Sequence, residues 1–122
     1  MGTFQKEQNI LQRRTALLTN SIREFFLFHL QRDFEVLRNS VISITNVVLL
    51  DKGKIMKIYI SCFSIDESKR EEDVLSFLNA NKKRIRFMFG QKMASKVKFI
   101  PEMHFYIDDT EGINNLFKNI KY

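Results

Sequence analysis

Seven cationic side chains lie between positions 82 and 98, and no acidic residue interrupts them. They are Lys82, Lys83, Arg84, Arg86, Lys92, Lys96 and Lys98. Ammonium and guanidinium groups at this density can neutralise phosphates and release the counterions that surround a nucleic acid. A solvated helix face can carry the same run, so both interpretations stay open. The segment carries +7 against +6 for the whole chain, so the rest of the chain is almost neutral.

Residues that could carry catalysis are few and scattered. Asp108 and Asp109 are adjacent, but neighbours in a strand point to opposite faces and cannot easily share a substrate. His104 falls on the exposed face of a predicted strand. Cys62 alternates with isoleucines, which predicts a buried thiol that acts as a small apolar group. We therefore expect a protein that is not an enzyme and takes no small-molecule substrate.

Composition excludes several further classes. The 122 residues are 44% apolar and 28% charged, which is typical of one soluble domain, spanning 1–122 with a core of about 10–117. One cysteine and two histidines give no disulfide framework and no zinc-ligand spacing. The four glycines are too scattered to cradle a phosphate, so we expect no cofactor and no metal. No apolar run is long enough to cross a bilayer. We expect a cytoplasmic monomer.

The first half of the chain predicts a helix followed by a hairpin. From Ile10 to Leu30, apolar residues recur at spacings of three, four and seven, which is one face of an amphipathic helix. Strands are predicted at 41–50 and 54–63 because β-branched residues and period-two alternation dominate there. The turn between them contains Gly53, which can take a positive φ, so the two strands should pair antiparallel.

The second half predicts two helices and a third strand. Ser68 and Glu71 have the spacing of a capping box at a helix start. The apolar stripe of 74–93 stalls over 79–84, where polar residues predominate, so we place a kink at Ala80 and Asn81. A strand should follow Pro101, which cannot donate a ladder hydrogen bond. A short amphipathic tail is expected over 113–120.

The order α-β-β-α-α-β resembles that of a type II KH domain, whose helix–helix junction can hold nucleic acid. The resemblance implies a single α+β domain in which the helices pack on one face of a three-stranded sheet. No aromatic–basic alternation is evident on an exposed strand face, of the kind that stacks bases in RNA-recognition sheets. We therefore expect contacts to backbone and shape, with little base reading.

Local residues are similar to those of the ribosome-binding factor A family. The matching stretches are Thr45–Val47, Asp51, Lys57–Ser61, Leu78, Ile85–Arg86 and Pro101–Asp108. The last stretch resembles a Pro-Glu-Leu-x-Phe-x-x-Asp pattern, and the resemblance runs from about Arg13 to about Leu116. The family has Ala-x-Gly at its helix kink, where this chain has Asn-Lys-Lys at 81–83. Asn81 visits the left-handed region more cheaply than most residues, so a kink is expected without the glycine.

The resemblance implies a factor that binds the free or immature small (30S) ribosomal subunit and its 16S rRNA. It would assist late maturation and rRNA processing without catalysis. The expected primary phosphate contacts are Lys82, Lys83, Arg84 and Arg86; Lys92, Lys96 and Lys98 extend the patch, and Arg13, Arg14 and Arg23 form a second one. Arg86 has an alternative structural role, which is to pair with a carboxylate.

Two other interpretations of the basic patch remain open. The first is a generic KH-like RNA-binding protein outside ribosome assembly, which would bind unrelated RNAs with similar affinity. The second is a protein-interaction module whose basic face docks an acidic partner, in a complex that survives ribonuclease.

Overall fold

The computed structural model describes residues 2–38, 40–64 and 71–108. The helices are α1 (Gly2–Phe25), α2 (Glu71–Ala80) and α3 (Lys82–Met93), and the strands are β1 (Ser40–Leu50), β2 (Ile55–Ser64) and β3 (Glu102–Ile107). The predicted α+β fold with the order α-β-β-α-α-β is confirmed. The predicted capping-box residue Ser68 and the predicted tail at 113–120 lie outside the described residues.

Helix α1 is longer than its apolar pattern. It begins at Gly2, eight residues before Ile10, because a helix propagates easily once its amphipathic part is fixed. It continues through a π-helical segment, Phe26–Leu30, and a last turn, Gln31–Asp33. No helix in the part of the chain that the structure describes is long and apolar enough to cross a membrane.

The sheet has the strand order β1-β2-β3. Strands β1 and β2 are antiparallel, with a bulge between Ile44 and Asn46, and β2 and β3 are parallel. Met56, Ile58 and Ile60 are fully buried on one face of β2, whereas the residues that alternate with them are partly exposed. One face of the sheet is therefore covered by the helices and the other is open.

Phenylalanine rings join the helices to the covered face. Phe25 of α1 packs edge-on against Phe89 of α3, with ring centroids 5.5 Å apart. Phe26 lies 5.9 Å from Phe105 of β3, and Phe105 is only 2% exposed. Burial of rings this large dominates the stability of a small domain, so α1, α3 and β3 are held by one core.

Asn81 separates α2 from α3 without a left-handed residue. Its φ is −107° and its ψ 13°, in the bridge region, so the left-handed conformation expected for it does not occur. The Asn81 side-chain Nδ2 donates to the Phe77 carbonyl at 2.9 Å, and this carbonyl also accepts from Asn81 N at 3.1 Å. Its own carbonyl accepts from Ile85 N at 2.9 Å and starts α3. The break between the two helices thus forms without a glycine at positions 81–83.

Candidate nucleic-acid interface

A groove runs along α3, and its opposite wall is the irregular segment 97–101 that leads into β3. It consists of two adjoining cavities of about 700 and 480 Å³, which share Lys83, Arg86 and Phe99 in their walls. The cations that line the groove are Lys54, Lys82, Lys83, Arg86 and Lys98. Glu102 is the one acidic residue that lines it among the described residues. We call this the basic groove; its charge fits a polyanion.

Helical spacing places three of these cations on one wall. Lys82, Lys83 and Arg86 lie at positions i, i+1 and i+4, which bring residues to the same side of a helix. On a neighbouring face of α3, Ile85 and Phe89 are fully buried. The apolar residues therefore fix the rotation of α3, and that rotation turns the cations into the groove.

The second wall is tied to α3 by polar bonds. Val97 N donates to the Met93 carbonyl at 2.8 Å. The Arg86 guanidinium donates from Nε and Nη2 to the Ile100 carbonyl, at 3.0 and 2.6 Å. The carboxylate partner considered for Arg86 is thus replaced by a backbone carbonyl. Arg86 shapes the groove and also contributes charge to it.

The turn between β1 and β2 borders the groove at one end. Asp51, Lys52 and Gly53 all have positive φ, at 50°, 55° and 85°, which confirms the prediction for Gly53 and extends it to two non-glycine residues. Arg14 Nη2 donates to the Gly53 carbonyl at 3.0 Å, and the Arg14 guanidinium lies 5.3 Å from the centre of the Phe99 ring. This bond places the turn, and with it Lys54, beside the groove.

The other predicted cations are not brought together there. Arg84 stacks over Phe34, 5.1 Å from its ring centre. Arg23 Nε donates to the Ile44 carbonyl at 3.1 Å, and Lys96 forms an exposed ion pair with Glu24 at 3.1 Å. Arg13 and Lys92 line neither cavity. The cations of the basic run 82–98 are therefore divided between the groove and other surfaces of the protein.

Among the residues that line the groove, sequence reasoning missed one cation, Lys54, and two aromatic residues, Phe87 and Phe99. Both rings line the larger cavity and are exposed to 65% and 52%. Lys54 comes from a turn that is distant in sequence from α3. The available signal was Phe87, an aromatic residue that lies outside the apolar stripe of α3 and follows Arg86 in the basic run.

The open face of the sheet carries two aromatic rings beside a lysine, an aromatic–basic grouping that was not evident from the sequence. Tyr59 of β2 and Tyr106 of β3 stack with ring centroids 5.5 Å apart. Lys57 Nζ lies 5.4 Å from the Tyr106 ring centre. The pattern runs across two parallel strands, so reading each strand alone could not show it.

Cys62 and His104 were considered as candidates for catalysis, and both contact neighbouring side chains of the fold. Cys62 is only half-buried, so the prediction of a buried thiol is wrong in degree. Burial and the nearby Glu71 carboxylate raise the pKa of the Cys62 thiol. His104 Nε2 lies 3.4 Å from the Glu102 carboxylate, and its Nδ1 3.3 Å from Lys82 Nζ. Within the described ranges, no three His, Cys, Asp or Glu side chains are grouped to hold a metal ion.

The element order and the basic groove define a small α+β domain of type II KH order, the class the resemblance implied. The chain belongs to the ribosome-binding factor A family, whose model matches residues 10–117. It is 32% identical over 103 residues to ribosome-binding factor A of Christiangramia forsetii, covering 75% of this chain and 76% of that one. It is 28% identical over 108 residues to the Cytophaga hutchinsonii protein, covering 88% and 77%.

A crystal structure and a fitted homology model share the fold. The crystal structure of ribosome-binding factor A from Thermus thermophilus has a TM-score of 0.55 at 17% identity, covering 76% of this chain and 90% of that one. A Thermus thermophilus homology model, fitted into the cryo-EM map of a 30S complex of that factor, has a TM-score of 0.56 at 17% identity and covers 79% and 92%.

Proposed function

We propose that this protein binds the free or immature small ribosomal subunit and its 16S rRNA through the basic groove, as a cytoplasmic monomer that assists late maturation and rRNA processing. Membership of the ribosome-binding factor A family supports the ribosomal subunit as the partner. The observation that carries the proposal is the groove itself, where five cations and a single acidic residue among the described residues line two adjoining cavities. Such a surface attracts phosphates by counterion release.

The proposed mechanism is selective binding without catalysis. A ligand that binds one RNA conformation more tightly than another shifts the population toward the first, by as much as the two affinities differ. Among the described residues, the groove is lined mainly by cations and brings no nucleophile and base together as a pair, which catalysis would need. We therefore assign no bond-making step to this chain, and no cofactor.

The test is co-sedimentation with purified small subunits, large subunits and 70S ribosomes across a salt series. We expect selective binding to free small subunits. Lys54→Glu/Lys83→Glu/Lys98→Glu should weaken it, because these side chains line the groove. We expect a loss on the order of 100-fold and a salt dependence shallower by roughly 0.7–0.9 per lost phosphate contact.

The matched control reverses three cations that line neither cavity: Arg13→Glu/Arg32→Glu/Lys92→Glu. It changes the net charge equally, so it separates the groove from charge in general. An equal loss in the control would overturn the groove assignment. Equal binding to every RNA particle would favour a generic RNA binder. A ribonuclease-resistant complex with an acidic protein, without subunit binding, would favour an interaction module.

A further inference from the structure

We infer that the basic groove binds an unpaired stretch of RNA, with bases stacked on the rings of Phe87 and Phe99 and the phosphates held by the surrounding lysines. This inference rests on the proposed function and makes it more specific. It names the form of RNA that the groove takes, and it adds base contacts where only contacts to backbone and shape were expected.

The first support is the exposure of the two rings within a cationic surface. Phe87 and Phe99 line the same cavity of about 700 Å³, together with Lys83, Arg86 and Lys98. Their exposed fractions are 65% and 52%, although the core of this domain accommodates other phenylalanines completely. Aromatic rings beside cations are the arrangement that binds single strands, because every base has a face that can stack.

The second support is that Phe99 is held in place before any ligand arrives. The Arg14 guanidinium lies over its ring, 5.3 Å from the centre. Val97 and Pro101, on either side of it in sequence, are both buried. Arg86 fixes the Ile100 carbonyl next to it. A ring that is already positioned loses little conformational entropy on binding, so its stacking energy goes into affinity.

Duplex RNA would not use these rings. In an A-form helix the base faces are covered by their neighbours, and the shallow minor groove offers hydroxyls and base edges. Against a duplex, Phe87 and Phe99 would face sugars and phosphates. The two rings would then either stay in contact with water or be desolvated without a base to stack on. The groove therefore favours a single strand, whose bases can turn outward.

The test measures binding of two labelled RNAs, an eight-nucleotide oligoadenylate and an eight-base-pair duplex, to the full chain by fluorescence anisotropy. We expect tighter binding of the single strand. Phe87→Ala and Phe99→Ala should each weaken it roughly tenfold or more, in line with the stacking contribution of one aromatic residue. The double variant Phe87→Leu/Phe99→Leu keeps apolar side chains but removes the flat rings. It should bind the single strand nearly as weakly as the alanine variants do. The salt dependence of all these variants should match wild type, because they remove no charge.

The matched control is Phe28→Ala/Phe63→Ala. These phenylalanines are exposed to a similar extent, 56% and 70%, but line neither cavity of the groove. Thermal unfolding checks that each variant is folded. Phe87→Ala, on the solvent side of α3, keeps the test usable if a Phe99 variant is unstable.

Three outcomes would overturn the inference. They are wild-type binding of the duplex as tight as that of the single strand, single-strand affinity unchanged by both Phe87→Ala and Phe99→Ala, and an equal loss in the control pair. Each leaves salt-dependent binding to the small subunit intact. Failure of the proposed function would show instead as absence of subunit binding by the wild-type chain.

Discussion

The two walls of the basic groove are held by different forces. Helix α3 is anchored by side chains that are wholly buried, Ile85 and Phe89. The facing segment 97–101 and the β1–β2 turn are held by arginine hydrogen bonds to the Ile100 and Gly53 carbonyls. A buried ring contributes several kcal/mol, whereas a single hydrogen bond contributes about 1 kcal/mol. The helix wall can move only if the domain unfolds. The facing segment is positioned in the folded protein by the buried Val97 and Pro101 as well as by these hydrogen bonds, but we expect that shifting its exposed middle takes less free energy than unfolding the domain.

This difference between the two walls shows how a small domain can hold the cations of α3 at a fixed spacing while the facing segment, and with it the width of the groove, can change. Elements that are held by few buried contacts open at low free energy while the core stays closed. The lysines and Arg86 of α3 keep their spacing, and the width of the groove follows the facing segment. Four substitutions test this division, in order of decreasing effect.

The largest effect is expected from Phe89→Ala, which removes a fully buried ring of the helix wall. The free energy of unfolding should fall by about 3–5 kcal/mol, because the substitution loses apolar burial and leaves a cavity. Chemical denaturation measures it. Phe87→Ala, two residues earlier on the exposed side, should cost less than about 1 kcal/mol by comparison. Equal losses at the two positions would mean that α3 is not anchored as described.

Gly53→Ala should have the next largest effect, on the turn at the end of the adaptable wall. The residue has a φ of 85°, and an added Cβ would overlap the Arg14 guanidinium. We expect a loss of about 1–3 kcal/mol in unfolding free energy from backbone strain and the displaced arginine. Lys52→Gly, at a φ of 55°, should leave stability unchanged or raise it. A harmless Gly53→Ala would show that Arg14 does not hold this turn.

Arg86→Ala should cost about 1 kcal/mol, because it removes the bonds to the Ile100 carbonyl. Hydrogen exchange of the amides at 97–100 should become faster, while the amides of α3 keep their protection. Lys83→Ala removes the same charge from the same helix and leaves the bonds between Arg86 and that carbonyl in place. Exchange that is equally fast in both variants would contradict a positioning role for Arg86.

Gly90→Ala should have the smallest effect and the opposite sign. Its Cβ would lie 3.4 Å from Ile100 Cγ1, at the limit of ordinary contact, and alanine favours a helix interior by about 0.5–1 kcal/mol. We expect a higher melting temperature. Destabilisation would mean that the segment at Ile100 cannot yield by a few tenths of an ångström, and the second wall would then be as rigid as the first.

The fold could be predicted because burial leaves a local pattern in the sequence. The alternation of Met56, Ile58 and Ile60 and the spacing of Ile85 and Phe89 follow directly from strand and helix geometry. The break at Asn81 was expected from the loss of that pattern. Its bridge-region conformation, which occurs together with a side-chain hydrogen bond from Asn81 to Phe77, was not expected.

The site could be predicted only in part, because cations that are close in sequence need not share a surface. Residues two apart on a helix point about 200° from each other, so Arg84 lies over Phe34 while Lys82 and Arg86 line the groove. Lys54 reaches the groove through the hairpin and Phe99 through the approach to β3. Both placements depend on tertiary contacts that no local pattern encodes.

The bond from Arg23 to the Ile44 carbonyl acts at the rim of the sheet, where β1 is an outer strand. Asp108 N donates to the Ile60 carbonyl, so the Ile60 carbonyl points toward β3. Ile44 is paired with Ile60 across β1 and β2, and its carbonyl therefore points away from the sheet. Gln31 covers the Ser40 carbonyl in the same way. A strand of a second chain would have to displace both side chains before it could extend the ladder. The helix thus protects the domain against edge-to-edge aggregation, a hazard for any chain that accumulates to high concentration.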